Sequence, residues 1–189
     1  MYGLKNNQAK NCVNPYQATF AAVFEVLRRQ NMDHLMVGGH VVNYYGYGRM
    51  TQDIDLMMVL SDPDAIVKAM QNAGFTSYSI DPLVLFFKKP EPSIRVDFLR
   101  VDPETFATLM RSAKTVKILK CLVKIPSLPD LLAMKFFSYG QAPTRRLKDL
   151  QDIVSLSIVN NLEPETVLKP LALKYASEKI YQHVCAMLS

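Results

Sequence analysis

The sequence predicts an α+β fold, in which a mixed β-sheet flanked by helices is followed by a helical carboxy-terminal part. Two observations support this prediction. Short apolar runs typical of strands alternate with helix-type spacing of apolar residues as far as Ile125. After Pro126 the strand-type runs cease and only helical spacing remains. We therefore expect two domains, an α/β domain over residues 1–125 and a helical domain over residues 126–189.

The helices of the first part are predicted from apolar residues at i, i+3, i+4 and i+7 and from proline and glycine at their ends. They cover Pro15–Asn31, His40–Tyr45, Pro63–Ala73 and Pro103–Ser112. The predicted strands cover His34–Val37, Ile54–Leu60, Leu83–Phe87 and Ile94–Val101, with one or two more in Val116–Ile125. The helices of the second part are predicted over Ser127–Tyr139, Arg145–Val159 and Glu163–Met187. We expect the last one to break near Lys169-Pro170, because proline disrupts a helix interior.

Composition limits the partners and the compartment. The net charge of +5 favours an anionic partner, and nucleotide, RNA and acidic protein all qualify. No apolar run approaches the roughly 18–20 residues of a membrane span, and the residues after Met1 lack a signal-peptide core. Cys12, Cys121 and Cys185 are odd in number and widely spaced, which favours reduced thiols over a disulfide framework or a zinc site. We expect a cytoplasmic protein with no membrane partner.

The most informative motif is Gly38-Gly39, followed after thirteen residues by Asp53-Ile54-Asp55. Two glycines at the start of a helix offer unblocked backbone N–H groups to a phosphate. Two carboxylates at i and i+2 of a strand point to the same face, and a divalent cation such as Mg²⁺ offsets their repulsion. The alternative is a turn at a strand edge, with Asp53 as a cap and Asp55 facing solvent.

Asp97 is the candidate third carboxylate. It lies in the apolar run SIRVDFLRV, where burying an unpaired carboxylate is costly. A two-metal site needs several bridging oxygens, which a third aspartate on a neighbouring strand can supply. An ion pair with Arg95 or Lys89 is the alternative. Asp102 competes for the role, but its Val-Asp-Pro-Glu context is typical of a helix cap.

Lys135 lies in a predicted helix that is apolar on nearly all sides, SLPDLLAMKFFSYG, so its ammonium group must meet an anion or a cavity. The next helix contains Lys148-Asp149, with Asp152 three residues further on. Pairs at i and i+4 on a solvated face, Arg145 with Asp149 and Lys148 with Asp152, are the alternative interpretation of this second group.

The order and spacing GGHVVNYYGYGRMTQDIDL resemble the nucleotidyltransferase superfamily that includes polymerase-β-like enzymes, and within it the bacterial AbiEii-type group. The family pattern commonly has Arg and Thr four and two residues before the first aspartate, where Arg49 and Thr51 stand. It often has a small residue at the position of Val41 and His at the position of Tyr45, so this chain departs from it twice.

The resemblance implies roles for these residues. Asp53 and Asp55 would hold two Mg²⁺ ions, and Asp97 would help to ligate the catalytic metal and act as base toward the acceptor. The Gly38-Gly39 amides and Lys135 would bind the phosphates of an NTP. AbiEii-type members carry a lysine in the helix of Lys135 and a Lys-Asp pair in the next, which Lys148-Asp149 matches. Arg49 and Thr51 would position the metal-site loop or touch the triphosphate, with loop hydrogen bonding as the alternative.

These residues together predict a Mg²⁺-dependent nucleotidyltransferase that moves an NMP from an NTP to an acceptor hydroxyl. AbiEii-type relatives include toxins of toxin–antitoxin pairs, some of which modify transfer RNA, so tRNA or another RNA is the expected acceptor and an antitoxin protein an expected partner. The alternatives are nucleotidylation of an antibiotic or a partner protein, and a non-catalytic nucleotide-binding module. The basic series Lys114, Lys117, Lys120 and Lys124 is either a solvated sheet edge or an RNA-facing patch.

Overall fold

The computed structural model of the protein describes residues 14–80, 83–91, 93–142, 144 and 146–188. Seven strands are described: β1 Leu35–Val37, β2 Ile54–Met58, β3 Thr76–Ile80, β4 Val84–Lys89, β5 Ile94–Arg100, β6 Lys114–Ile118 and β7 Cys121–Ile125. The described α-helices are α1 Pro15–Arg29, α2 Gly39–Tyr44, α3 Pro63–Asn72, α4 Pro103–Ser112, α5 Leu128–Gln141, α6 Arg146–Val159, α7 Lys169–Tyr175 and α8 Glu178–Leu188. A π-helical turn, Pro164–Leu168, precedes α7. The predicted mixed α+β class is confirmed.

A five-stranded mixed sheet runs through the first part in the order β1-β2-β5-β4-β3. Strands β2 and β5 are parallel, and the other three neighbouring pairs are antiparallel. Strand β2 alternates buried and half-buried residues, so Ile54, Leu56 and Met58 enter the core. Asp55 and Met57 therefore point to the opposite face of the sheet, because strand side chains alternate.

Residues of both predicted domains contribute to one buried cluster. Phe20, Leu56 and Phe98 from the first part belong to it, together with Leu132 and Phe136 from the second. A smaller apolar cluster on the other face of the sheet contains Leu35, Val37, Phe106 and Leu109. The division at residue 125 stays a prediction, and the helical part packs on the same core as the sheet.

Strand β3 was not predicted, although the residues around it were. Its sequence, TSYSI, has only two strongly strand-forming side chains in the first four positions and two serines, so it resembles a polar connection. It lies at the end of the strand order and pairs only with β4 among the described strands. Tertiary pairing with β4, rather than local preference, makes this segment a strand.

Near Lys169-Pro170, where a break was predicted, the chain changes from the π-helical turn to α7 without leaving the helical path. The N–H of Lys169 donates to the carbonyl of Pro164, a wider π-type spacing that accommodates the proline early in α7. The helical path ends instead at Ala176, whose φ of −141° and ψ of −102° are not helical. The chain begins α8 directly afterwards, and the hydroxyl of Ser177 accepts from the N–H of Ile180.

The predicted strand signal in Val116–Ile125 corresponds to a two-stranded hairpin of β6 and β7. Leu119 and Lys120 form its turn with positive φ values of 47° and 71°, as a type I′ connection requires. The side chains of the basic series are all exposed: Lys114, Lys117, Lys120 and Lys124.

Among the described residues, no helix combines the length and the apolar composition that crossing a membrane requires. Within the described part of the chain, Cys121 and Cys185 are not joined in a disulfide. Cys12 lies outside the described residues.

Candidate active site

Two of the three predicted metal ligands lie side by side on parallel strands. Asp55 of β2 is the register partner of Asp97 of β5, and partners in neighbouring strands point to the same face. Asp53 stands two residues before Asp55, just ahead of the strand. Asp97 is only 8% exposed, whereas Asp53 and Asp55 are half-buried. Asp55 is therefore part of the sheet, which is not the solvent-facing position in a turn that the alternative required.

The two glycines bring the backbone close to Asp55 and to two side chains of the loop before it. Gly38 has a φ of +70°, and a Cβ at this position would lie 2.0 Å from Oδ2 of Asp55. A Cβ on Gly39 would lie 2.4 Å from Oγ1 of Thr51 and 3.2 Å from Nη1 of Arg49. Five predicted site residues thus converge on the start of α2, because glycine leaves room for the other three side chains.

Asp97 is not a free carboxylate. Its Oδ1 accepts a 2.6 Å hydrogen bond from Nε of Arg95, whose guanidinium lies 4.7 Å from the centre of the Phe86 ring. The alternative of an ion pair with Arg95 is therefore confirmed as a contact. Lys89 instead donates to the backbone carbonyl of Ala73.

Lys135 meets two carboxylates of α6. Its Nζ lies 2.8 Å from Oδ1 of Asp149 and 2.7 Å from Oδ2 of Asp152. Asp152 also receives two hydrogen bonds from Arg49, at 2.7 Å from Nε and 3.1 Å from Nη2. Lys135, Asp149 and Asp152 are at most 6% exposed and Arg49 is half-buried, so two cations and two anions form a network that is largely shielded from solvent.

This network corrects two expectations. Lys135 was expected to meet an anion or a cavity, and the resemblance implied that the anion is a triphosphate, but in this structure the anions that neutralise it are two aspartates. Asp149 and Asp152 were alternatively assigned to a solvated face, yet they are 1% and 0% exposed. Lys148 is exposed, and Arg145 lies outside the described residues.

Tyr16 and His40 form a hydrogen-bonded pair beside the aspartates. The Tyr16 hydroxyl lies 2.5 Å from Nε2 of His40, the residue that directly follows the two glycines. Burial lowers the pKa of His40, and the charge of Asp53 opposes this effect only in part. Burial and the charges of Asp53 and Asp55 raise the pKa of Tyr16, which keeps its hydroxyl protonated near neutral pH. A protonated phenol and a neutral imidazole therefore lie within electrostatic range of the carboxylates.

No protein-family model and no curated protein sequence matches the chain significantly. Solved structures do match it. The solution structure of the antibiotic-resistance factor ANT(2'')-Ia is 12% identical, with a TM-score of 0.61 over 92% of this chain and 97% of that one. An antigenic nucleotidyltransferase-like protein from Paracoccidioides brasiliensis is 19% identical, with a TM-score of 0.53 over 75% of each chain. The lincomycin-bound lincosamide antibiotic adenylyltransferase LnuA is 13% identical, with a TM-score of 0.54 over 79% of this chain and 99% of that one.

The chain has the nucleotidyltransferase fold. At these identities the match extends to the fold alone, and the AbiEii-type subgroup stays a prediction. Within this nucleotidyltransferase fold, Gly38, Gly39, Thr51 and Asp55 meet at the start of α2. The site is therefore assembled by the chain's own residues, independently of any comparison.

The donor set of the nucleotidyltransferase fold in this chain suits Mg²⁺ chemically. Carboxylate oxygen is the donor that Mg²⁺ prefers, and Asp55 and Asp97 present it from paired positions, with Asp53 close in sequence. In the part of the chain that the structure describes, no group of three or more His, Cys, Asp or Glu side chains is already gathered around one point. In this arrangement one oxygen of the Asp97 carboxylate accepts a hydrogen bond from Arg95.

Two contributors to the site could not be found from sequence patterns. Asp152 contacts Arg49 across 103 residues of sequence, and no local periodicity encodes a contact of that range. Tyr16 reaches His40 across 24 residues, from the first turn of α1. The one available signal was the density of charge in the KDLQD segment, which is unusual for a helix that buries half of its residues.

Proposed function

We propose that the protein is a Mg²⁺-dependent nucleotidyltransferase that transfers an NMP from an NTP to an acceptor hydroxyl. The observation that supports this most strongly is the register pairing of Asp55 with Asp97, with Gly38 packed directly against the Asp55 carboxylate. A pair of carboxylates beside an open glycine backbone combines the two requirements of chemistry on a triphosphate, cation binding and phosphate binding.

Each residue of the site has a separate proposed role in phosphate binding, metal binding or proton transfer. The backbone N–H groups of Gly38 and Gly39 and the guanidinium of Arg49 bind the phosphates. Asp53, Asp55 and Asp97 would hold Mg²⁺, which when bound neutralises the charge of the triphosphate and lowers the pKa of the attacking hydroxyl. A carboxylate oxygen of Asp97 accepts the proton of that hydroxyl.

The transfer balances without a further reagent. The acceptor oxygen forms a bond to the α-phosphorus, and the bond from the α-phosphorus to the bridging oxygen breaks. Pyrophosphate leaves with the electron pair of that bond, and the proton of the acceptor hydroxyl passes to Asp97. Tyr16 and His40 line the site beside the aspartates and help to keep the acceptor oriented.

RNA, with tRNA foremost, is the proposed acceptor. The net charge of +5 and three exposed lysines on one hairpin, Lys117, Lys120 and Lys124, support an anionic acceptor. This version of the proposal also takes the protein as an AbiEii-type toxin that acts in the cytoplasm, with an antitoxin protein as its partner.

An antibiotic is the second candidate acceptor. It is supported by the near-complete mutual coverage with ANT(2'')-Ia, which was solved in complex with adenylyl-2''-tobramycin, and by the match to LnuA. A cationic aminoglycoside would need an acidic acceptor cleft. In this version of the proposal the half-buried Asp53 is the carboxylate that would face the cation.

Transfer of label from each α-labelled NTP decides between these acceptors. The protein is incubated with Mg²⁺ and with total RNA, with the product of a neighbouring antitoxin-like gene, or with a panel of aminoglycosides and lincosamides. We expect label on RNA, and none with Asp97→Asn. Label on a drug or on a protein alone would show that the acceptor is not RNA, while the proposed nucleotidyl transfer would stand. The absence of label from every acceptor would favour a non-catalytic nucleotide-binding module.

A further inference from the structure

Two hydrogen bonds to Asp152 hold the Arg49 guanidinium and leave its third nitrogen, Nη1, beside Gly39. Nε and Nη2 bond to the two oxygens of Asp152, at 2.7 and 3.1 Å. The remaining nitrogen, Nη1, lies 3.2 Å from the point where a Cβ of Gly39 would stand. Because Gly39 has no side chain, the guanidinium reaches the backbone of the first turn of α2 beside Thr51.

The charges in the network are unequally satisfied. Lys135 has two carboxylates within 2.8 Å and its side chain is 8% exposed, so its charge is neutralised and shielded from solvent. Arg49 shares a single carboxylate with Lys135, and its side chain is 15% exposed. Arg49 is therefore the cation of the network with fewer carboxylate partners and with greater access for an anionic ligand.

Removing charged side chains from water costs free energy, so a network of charges that is largely shielded from solvent requires an explanation. Charges removed from water lose solvation that their mutual attraction only partly returns, so a buried ion network seldom gains stability over apolar packing. Here Asp149 contacts Lys135, Lys135 contacts Asp152, and Asp152 contacts the guanidinium plane of Arg49. This chain of contacts runs from α5 and α6 to the loop ahead of Asp53. A planar guanidinium held by two hydrogen bonds cannot rotate without breaking both of them.

We infer that Lys135, Asp149 and Asp152 are positioning residues, and that they hold Arg49 so that its Nη1 binds the triphosphate. The phosphates thus meet Arg49, and Lys135 acts through Asp152 without touching the ligand. The inference rests on the proposed NTP site and specifies which cation serves it. It also gives the helical part a function, since α6 sets the phosphate-binding geometry of a loop about a hundred residues earlier in the chain.

A double-mutant cycle tests this. Arg49→Ala, Asp152→Asn and the double variant are titrated calorimetrically with Mg²⁺–NTP and with the matching nucleoside. Glu25→Gln, which removes an exposed carboxylate paired with Arg28 and Arg29, serves as control. Each single variant should bind the triphosphate about 10-fold or more weakly, the scale of a lost charged hydrogen bond. Nucleoside affinity should not change, and the control should match the unsubstituted protein.

The double variant is decisive. If Asp152 acts through Arg49, the double variant binds the triphosphate no more weakly than Arg49→Ala alone, because the effects are not additive. Additive losses, or loss of nucleoside binding as well, would overturn the positioning role. Unchanged triphosphate affinity in Asp152→Asn would overturn it too, while the proposed function would stand. No triphosphate binding by the unsubstituted protein would instead contradict the proposed function.

A second measurement avoids the risk that Asp152→Asn does not fold. The side-chain ¹⁵N resonance of Arg49 Nε is assigned in the unsubstituted protein from its absence in Arg49→Lys. We expect it to shift on addition of Mg²⁺–NTP and to stay in place on addition of the nucleoside. If the chemical shift of this resonance does not change on addition of Mg²⁺–NTP, the inference is overturned without the need for any variant of Asp152.

Discussion

The contacts of Asp97 help to explain how a carboxylate can be buried in an apolar strand. Its backbone pairs β5 with β2 at Asp55, and its side chain accepts a 2.6 Å hydrogen bond from Arg95. The guanidinium offsets part of the cost of burying the charge and also limits where the carboxylate can point. Asp97 is therefore stable without a ligand and close to a second carboxylate that a cation could share.

Replacing Asp97 with asparagine should separate binding from turnover. Asp97→Asn keeps the shape of the side chain, so NTP affinity should stay within a few-fold, whereas transfer should fall by at least about 100-fold because the base is lost. Asp102→Asn is the matched control, since Asp102 caps α4 and asparagine caps equally well. Calorimetry and label transfer give the two quantities. A fully active Asp97→Asn would return Asp97 to a structural ion pair.

Gly38 tests the close approach of the backbone to Asp55. In Gly38→Ala the new Cβ would lie 2.0 Å from the Asp55 carboxylate and the residue would keep a φ of +70°. We expect a lower midpoint of thermal unfolding and weaker Mg²⁺–NTP binding. Gly48→Ala is the control, because nothing lies within 4 Å of its Cβ position. Equal behaviour of the two variants would show that the contact is unimportant.

At the scale of whole elements, the sequence predicted well what is local. Three helices begin at Pro15, Pro63 and Pro103, where the proline and the residue before it had indicated a helix start. The edge strand β3 and the end of α7 at Ala176 depend on partners distant in sequence, or on a π-type turn, and were missed. Helix α5 shows both sides of this. Its burial was predicted, whereas the two aspartates that neutralise Lys135 were not.

Removing the charge of Lys135 should therefore destabilise the protein even without ligand. Lys135→Met leaves Asp149 and Asp152 buried with Arg49 as the remaining cation of the network, and breaking a buried pair typically costs about 3–5 kcal/mol of unfolding free energy. Lys169→Met, which breaks an exposed pair with Glu165, should have a much smaller effect. Urea unfolding of both variants measures the difference. A Lys135→Met protein as stable as the unsubstituted one would contradict the network.

Considered as a whole molecule, the site combines contacts of short and long range, and sequence reasoning succeeded only with the first. Gly38, Thr51 and Asp55 lie within eighteen residues of each other in a recognisable order, and they do meet. Arg49 with Asp152 and Tyr16 with His40 join elements that only the folded chain brings together. The fold class was predictable because apolar periodicity is repeated in every element, whereas each long-range polar contact occurs once.

The β6–β7 hairpin exposes three lysines, Lys117, Lys120 and Lys124, on the surface of the molecule. If RNA binds there, the variant Lys117→Gln/Lys120→Gln/Lys124→Gln should bind RNA more weakly. Its logarithmic dependence of affinity on salt should be shallower by about 2, because each lost phosphate contact on a single strand contributes roughly 0.7. Lys68→Gln/Lys174→Gln/Lys179→Gln removes three exposed lysines from helices and is the control. Equal salt slopes for the two triple variants would remove the hairpin from the RNA-binding surface.

The central claim is that Asp53 and Asp55, beside the two glycines, bind a Mg²⁺–NTP complex. Calorimetric titration of NTP with and without Mg²⁺ tests it on the unsubstituted protein, on Asp53→Asn/Asp55→Asn and on the control Asp62→Asn/Asp64→Asn. The control has the same Asp-x-Asp spacing at the start of α3, where asparagine still caps the helix. We predict binding that requires Mg²⁺, persists in the control and is absent from Asp53→Asn/Asp55→Asn. Equal Mg²⁺-dependent binding by that variant and the unsubstituted protein would contradict the account.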